Sequence, residues 1–542
     1  MAILIETNEY QTPITEELLS QYPEEVIQQF TEIVNIVPFI KNLINPNRPK
    51  IEDLPRDKEG RAIVDITNPP IYKDADYFRQ PALFYLKNNC YTKLRPNSNP
   101  NSEYRKYWRE ELRRCREGLI RQSDGMYVTG FLYWFLNYCP MMVNFYKEGQ
   151  KKAIRKESFG FFFEGIWWRS IYLYNAREQG HHAIELAKRG CAKSYFLATI
   201  MSHNLIVGES EATHKRCITV LTAAQKEYLK DDKDGTLNKF IPELSFIIDN
   251  TPFPNLLLKN SPNEMSWQMG YKKPNGAIGG SMNQVLGVSA KDDSDKLRGK
   301  RGWILYEEMG TFDGLLELYD VTRKSVEDGD YTFSCMYLVG TANNKESSFL
   351  SAKKLLYAPE SYNIQSVPNV YDKKGSGKDT FGFFFPAYIN RAGCYNKDGI
   401  SDVIKALLQV LMARYKSKYG ADPTSVLRVI AEDPITPAEA IIKVKDAYFP
   451  IASLQERADT LDKNPSLYDD IYVGELYTTS IGEIEFRPTD DIPIRTYPVD
   501  NDTKGALEIY SMPKKDREGK VFNDRYIIGV DPKSLGLILV IK

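Results

Sequence analysis

Two short stretches carry residue types suited to handling phosphate. In "AKRGCAKSYF", residues 187–196, Lys193 and Ser194 close a turn formed by Arg189, Gly190, Cys191 and Ala192, and Tyr195 follows. The spacing is that of G-x-x-x-x-G-K-[ST], yet Ala187 and Ala192 stand where the two glycines are usual. A phosphate-binding loop works by aiming backbone N–H groups at anionic oxygens from a turn between a buried strand and a helix N-terminus. Lysine then reaches the β/γ-phosphates and the hydroxyl reaches Mg²⁺. A helix start with a solvated lysine is the competing reading of the same letters.

The second stretch is "RGWILYEEMG", residues 301–310, in which four apolar residues run into Glu307 and Glu308 about 115 residues after the loop. Read as a strand over 303–308, it would point neighbouring side chains to opposite faces. Glu307 would then help hold Mg²⁺, and Glu308 would orient and activate an attacking water. Phosphoryl transfer needs charge neutralisation and positioning more than covalent chemistry, so this small set suffices. A buried strand running out into a charged loop is the plainer alternative. A further strand, "MYLVGTAN", ends in Thr341, Ala342 and Asn343, which places small polar groups at a strand's carboxyl end,.

A stretch with more glycine, "KKGSGKDT" at 373–380, fits the chemistry less well. Asp379 follows Lys378 where a hydroxyl is needed and would repel phosphate. The flanking "SVPNVYDKK" and "FGFFFPAY" suggest a turn between two strands.

The elements that must position these residues can be read from the apolar pattern. "HAIELA" (182–187) predicts a strand before the loop and "YFLATIMSHNLIVGES" a helix after it; "CITVLTA" (217–223) predicts another buried strand. Short apolar strands alternating with helices imply an α/β fold around a mostly parallel sheet. Residues 1–150 read as a helical region that becomes aromatic-rich from about 72, with its aromatics as core. Residues 151–400 read as the nucleotide-binding core, 401–480 as a helical lid that begins with "SDVIKALLQVLMARYKSKYG", and 481–524 as a linker,. The segment 525–542 opens on a strand, "YIIGVDP".

Composition narrows the classes. Of 542 residues 42% are hydrophobic and 26% charged, with 71 Lys+Arg against 72 Asp+Glu and a formal net charge of -1. That suits a globular protein and argues against one that only coats nucleic acid. The seven cysteines are scattered, and His181, His182, His203 and His214 lie outside zinc-ligand spacing, so neither a disulfide framework nor a structural zinc is expected,. No apolar run is long enough to span a bilayer, and the N-terminus lacks signal-peptide features, which predicts a soluble intracellular protein.

Taken in order, the loop with its displaced glycine, "LRGKRGWILYEE", "LVGTAN", "EDPITPAEA" and "YIIGVDP" resemble the large terminase subunit of tailed bacteriophages, of the crAss-like and related Bacteroidetes kind. "TGFLYWFLNY" (129–138) is similar to a segment of those relatives as well. The resemblance covers about 105–532. It implies a RecA-like ATPase that packages double-stranded DNA with ATP and Mg²⁺, joined to an RNase H-like nuclease. Arg189, Gly190, Cys191, Ala192, Lys193, Ser194, Tyr195 and Thr341 would contact nucleotide, with Ser194 and Glu307 on the metal. Glu308, Asn343 and Arg298 would be catalytic, Arg298 as a charge-stabilising arginine offered to a neighbouring subunit.

Asp531 matches the first metal ligand of the nuclease. Eleven residues follow it in this chain, too few for the partner carboxylates of a two-metal site, so DNA cleavage is not expected of the chain alone,. The resemblance further implies a homo-oligomeric ring, a portal protein and procapsid, a small terminase subunit, and a place in the host cytoplasm and at the portal vertex, with no membrane. A RecA-like helicase and a non-catalytic DNA-docking virion protein are the rival readings.

Overall fold

Eight strands make one twisted sheet, and six of them run parallel. In chain order they are β1 (Ala183–Ala187), β2 (Ile218–Ala223), β3 (Leu257–Ser261), β4 (Ser266–Met269), β5 (Gln284–Ser289), β6 (Trp303–Tyr306), β7 (Met336–Gly340) and β8 (Phe383–Phe385). In space the order is β8-β1-β7-β6-β2-β5-β4-β3, with every pair from β8 to β5 parallel and β4 and β3 antiparallel at the far edge. β1, β6, β7 and β8 are buried along their whole length. Such strands, covered on both faces, read as unbroken apolar runs rather than alternating ones.

The computed structural model describes residues 6–145, 152–208, 216–231, 235–290, 294–341, 346–372, 379–420, 424–441, 472–482, 484–489, 507–509, 526–531 and 536–541. The chain divides into two compact units, Met1–Asp446 and Ala447–Lys542, with the division falling inside the expected lid segment.

In the first unit the sheet is covered by helices rich in aromatic residues. Helix α1 (Glu103–Glu117) starts on a Ser102 cap that accepts from the Arg105 N–H and stops at Gly118, φ +85°. Helices α2 (Gly130–Tyr138) and α3 (Glu164–Glu178) follow, the first buried at every position. Two of their indoles are tied down, Trp134 Nε1 donating to Ser202 Oγ at 2.9 Å and Trp167 Nε1 to the Tyr127 carbonyl at 2.8 Å, while Trp168 Nε1 is buried without a partner. Ser202 lies on helix α4 (Lys193–Ile206), so the aromatic layer packs directly on the helix that begins with the loop lysine. Between α2 and α3 an antiparallel ribbon pairs Pro140–Phe145 with Ile154–Phe159, where the sequence suggested packed helices.

Helix α5 (Leu237–Asn250) packs beside α4, and helix α6 (Val403–Lys418) starts on Asp402, whose side chain accepts from the Lys405 N–H. Thr12 and Gln11 bond to Asp402, Ser401 and Val403, tying the N-terminal segment to the start of α6. All seven cysteines are free. No helix among the described residues is long and apolar enough to cross a membrane.

In the second unit, Ile484–Pro488, Tyr472–Thr478 and Leu507–Ile509 form a three-stranded antiparallel sheet in that order. Tyr526–Asp531 pairs antiparallel with Gly536–Ile541 as a hairpin. Most of the expected 481–524 linker, residues 442–471 of the expected lid, and the glycine-rich turn at 373–378 lie outside the described residues. The flanks of that turn do pair antiparallel, Val367 with Phe381 and Pro368 with Thr380.

Candidate nucleotide site

At the carboxyl end of β1 the chain turns sharply before α4. Two consecutive features make the turn: Gly190 at φ +73° and Ala192 at φ +59°, both left-handed. Glycine reaches that region without strain, whereas alanine there costs roughly 1–2 kcal/mol. Ala192 is the N-cap residue of α4, so the strain is what aims the helix N-terminus, Lys193 and Ser194 at one point.

The turn is held from beneath by a buried ion pair that the sequence gave no reason to connect to it. Arg169 on α3 pairs with Glu185 on β1 at 2.6 Å, both almost wholly buried, and Tyr337 on β7 also donates to Glu185. A second guanidinium nitrogen of Arg169 donates to the Cys191 carbonyl at 2.9 Å. Arg169 is thus a tie between the loop and the sheet. Beside it, Lys188 is buried, with Nζ 3.5 Å from the Ala387 carbonyl; burial pushes its pKa down to about 8.

Strand β6 ends at Tyr306, two residues short of the span expected from "WILYEE". Glu307 still bonds through its N–H to the Thr222 carbonyl at 2.8 Å, but Glu308 swings into the left-handed region at φ +49°. The two carboxylates therefore separate through a backbone turn and not through strand alternation. Non-glycine residues with positive φ concentrate at functional sites, where surrounding structure enforces them. Gly340 at the end of β7 permits the turn, since a Cβ there would lie 2.7 Å from Met309 Cγ.

The acid strand and the loop strand are not neighbours. β7 lies between them, which sets β1 and β6 about 10 Å apart and puts three strand ends along one edge. Ligands of open α/β sheets sit outside such carboxyl ends. Across this gap Ser194 Oγ donates to Glu307 Oε1 at 2.8 Å, and Lys193 Nζ lies 3.6 Å from Glu308 Oε1. The end of β7 supplies the third element: Thr341 donates from its N–H and its hydroxyl to Glu308 Oε2, at 3.1 and 2.8 Å.

The adjacent acids titrate apart. Burial, and then the Glu308 charge, push Glu307 up to about 7. Burial also acts upward on Glu308, but the Lys193 charge and the Thr341 hydrogen bonds outweigh it and hold this carboxyl below its ordinary range. Paired groups pushed in opposite directions mark separate roles.

Glu307 Oε2 is buried without a hydrogen-bond partner, beside a serine hydroxyl already held by Oε1. An orphaned buried carboxylate oxygen next to a hydroxyl fits a hard divalent cation such as Mg²⁺, which takes oxygen ligands and keeps several waters. Among the described residues no group of three or more His, Cys, Asp or Glu could hold a metal. A cation here would therefore depend on phosphate and water oxygens besides Ser194 and Glu307.

Other expected site residues fall elsewhere. The Arg189 side chain is exposed and pairs with Glu432 at 3.2 Å. Arg298 is 71% exposed and pairs with Asp295 at 2.7 Å, three residues earlier on the same turn. Tyr195, next to Ser194, accepts a hydrogen bond at 3.4 Å from the Met142 N–H of the ribbon, and Lys239 lies over its ring at 5.6 Å. Ala342 and Asn343 lie outside the described residues; Asp531 is the last residue of its strand.

No family model matches the chain, and neither does any curated protein. Among solved structures, the ATPase domain of the Thermus phage P74-26 large terminase aligns over 47% of this chain and 88% of its own, at 11% identity and a TM-score of 0.31. The large terminase of bacteriophage HK97 aligns over 46% of this chain and 47% of its own, at 11% identity and a TM-score of 0.26. At such scores neither alignment carries an argument, and the functional reading stands on the site itself.

Proposed function

We propose that the chain is an ATP-hydrolysing motor subunit that moves double-stranded DNA, of the terminase kind that fills a viral procapsid. One observation carries the catalytic part: a loop Lys-Ser pair engages two adjacent glutamates of opposite titration across an intervening strand. Lys193 and the N-terminal N–H groups of α4 hold the phosphates of ATP. Phosphate oxygens compete with Glu308 for Lys193 Nζ, and once released from it the Glu308 carboxylate orients the attacking water and accepts its proton. Ser194 and Glu307 hold Mg²⁺, which supplies neutralisation of phosphate charge when bound. Thr341 positions Glu308, with Ala342 and Asn343 next to it in the chain.

The motor part of the reading rests on the ordered motifs. In it the active form is a ring on a portal protein in the host cytoplasm, assisted by a small terminase subunit. Arg298, exposed on its turn, is available to a neighbouring subunit. In the same reading Asp531 would be the first metal ligand of an incomplete nuclease.

Release of phosphate from ATP, with and without duplex DNA, tests the assignment. Lys193→Ala should abolish turnover while Lys378→Ala, in the glycine-rich turn, leaves it intact. The opposite pattern would move the phosphate site to residues 373–380. Turnover untouched by Lys193→Ala and Glu308→Gln alike would favour a non-catalytic docking protein.

A further inference from the structure

The ribbon of Pro140–Phe145 and Ile154–Phe159 is buried at one end and exposed along one strand beyond it. Its register sets Pro140 opposite Phe159 and Phe145 opposite Ile154. At the base Met141, Ser158 and Phe159 are buried, and Phe159 packs edge-on against Tyr85 and Phe246. From Ile154 to Glu157 every residue is exposed, although successive side chains point to opposite faces,. Opposite this stretch Val143 packs against the core and Phe145 lies edge-on to Phe161 at 5.6 Å, so Ile154–Glu157 is the open side of the ribbon, over about 13 Å,.

The exposed part is cationic in a chain that is not. Lys152, Arg155 and Lys156 outnumber the one acid, Glu157, over residues 152–157, while the whole chain carries a formal net charge of -1. Among the described residues no ion pair involves any of the three, and Lys156 lies 4.5 Å over the Phe145 ring, a contact that leaves its charge in place. Exposed Met142 and Ile154 supply apolar surface between the charges. A two-stranded ribbon is one of the two elements that the major groove of B-DNA admits.

The anchored end meets the nucleotide site. The Met142 N–H donates to Tyr195 Oη at 3.4 Å, and Tyr195 directly follows Ser194 on α4. Displacement of the ribbon therefore bears on the residue next to the loop.

We propose that this ribbon is a contact of the chain with duplex DNA, made to backbone phosphates by Lys152, Arg155 and Lys156 and coupled to the phosphate loop through Tyr195. Phosphate contacts position a duplex without reading its sequence, as transport of arbitrary DNA requires. The inference rests on the motor reading given above for its coupling, while the contact itself can be tested separately.

The full chain, titrated into a fluorescein-labelled 30-base-pair duplex and followed by anisotropy over a salt series, gives the contact. The triple variant Lys152→Ser/Arg155→Ser/Lys156→Ser should bind at least about ten-fold more weakly near 0.1 M salt. Its log-affinity against log-salt slope should be shallower by about 3, from three lost phosphate contacts. Its basal ATP hydrolysis and melting temperature should match the wild type. Tyr195→Phe should keep the duplex affinity and lose the DNA-dependent increment in turnover. Wild-type affinity and salt slope in the triple variant would overturn the contact, whatever the ATPase result. Loss of duplex binding in that variant, in a chain that hydrolyses no ATP, would keep the contact and sink the motor. A DNA-dependent increment retained by Tyr195→Phe would overturn the coupling.

Discussion

Two strands of this chain, β6 and Tyr526–Asp531, run apolar residues into an acid, and they end in different surroundings. β6 has a parallel neighbour on each side, β7 and β2, and the loop strand β1 one place further. Parallel strands deliver their carboxyl ends to the same edge, so residues as distant in sequence as Lys193, Ser194 and Thr341 meet the acids there. Among the described residues Tyr526–Asp531 pairs only with Gly536–Ile541, antiparallel, and Asp531 is set opposite Gly536, the start of the returning strand. An acid at a strand end gains chemistry from what its neighbours end in. The letters "WILYEE" and "YIIGVD" are much alike in this respect; the sheets around them are not.

The contrast can be broken by substitution. Glu308→Gln keeps the shape and removes the base, and should lower ATP turnover by roughly 10²–10⁴ in a steady-state assay. Arg169→Leu leaves Glu185 buried and uncompensated beneath the loop; chemical denaturation should show a loss of about 3–5 kcal/mol, as for other broken buried pairs. Glu307→Gln should raise the Mg²⁺ concentration needed for half-maximal turnover by at least about ten-fold.

The same residue gives a pH test. Glu307 is raised by the fold, so its protonated form contributes stability that is complete below about 4.5 and fades as pH rises through about 7,. The carboxylate that a cation needs appears over that interval. Turnover at limiting Mg-ATP should therefore climb through pH 7 in the wild type and lose that step in Glu307→Gln. A smaller effect is expected from Ala192→Gly, which relieves the left-handed alanine: thermal melts should show stabilisation of up to about 1 kcal/mol. Smallest of all, Asp531→Asn should leave ATP turnover unchanged; a large fall would break the contrast between the two acid-ended strands.

Much of the core was readable because buried parallel strands announce themselves as apolar runs, and "HAIELA", "CITVLTA" and "MYLVGTAN" became β1, β2 and β7. β6 stopped early because Glu308 turns left-handed, a tertiary demand made by Lys193 and Thr341. β3, β4 and β5 escaped notice, since "LLLKNSPNEMSWQ" and "QVLGVS" are partly exposed and interrupted by turn residues. Strand order was not legible either: nothing in 336–341 says that it inserts between loop and acids. Arg169 sits in "GIWWRSIYLYN", where its neighbours signal only core; the carbonyl it holds belongs to Cys191, twenty-two residues on, and is found by folding alone. Ala192 misled in the opposite direction, because the loop takes its left-handed turn without the glycine that usually advertises one.

The place of β7 has a mechanical consequence. Glu308 is fixed by the end of its neighbour, through two hydrogen bonds from Thr341, and helix Glu346–Tyr357 follows shortly in the chain. Tension transmitted along β7 would shift the base relative to the phosphates, and a misplacement on the order of 1 Å is enough to slow such chemistry about 10²-fold. In the proposed reading, load on the polypeptide and rate of bond breaking would then be two readings of one strand's position.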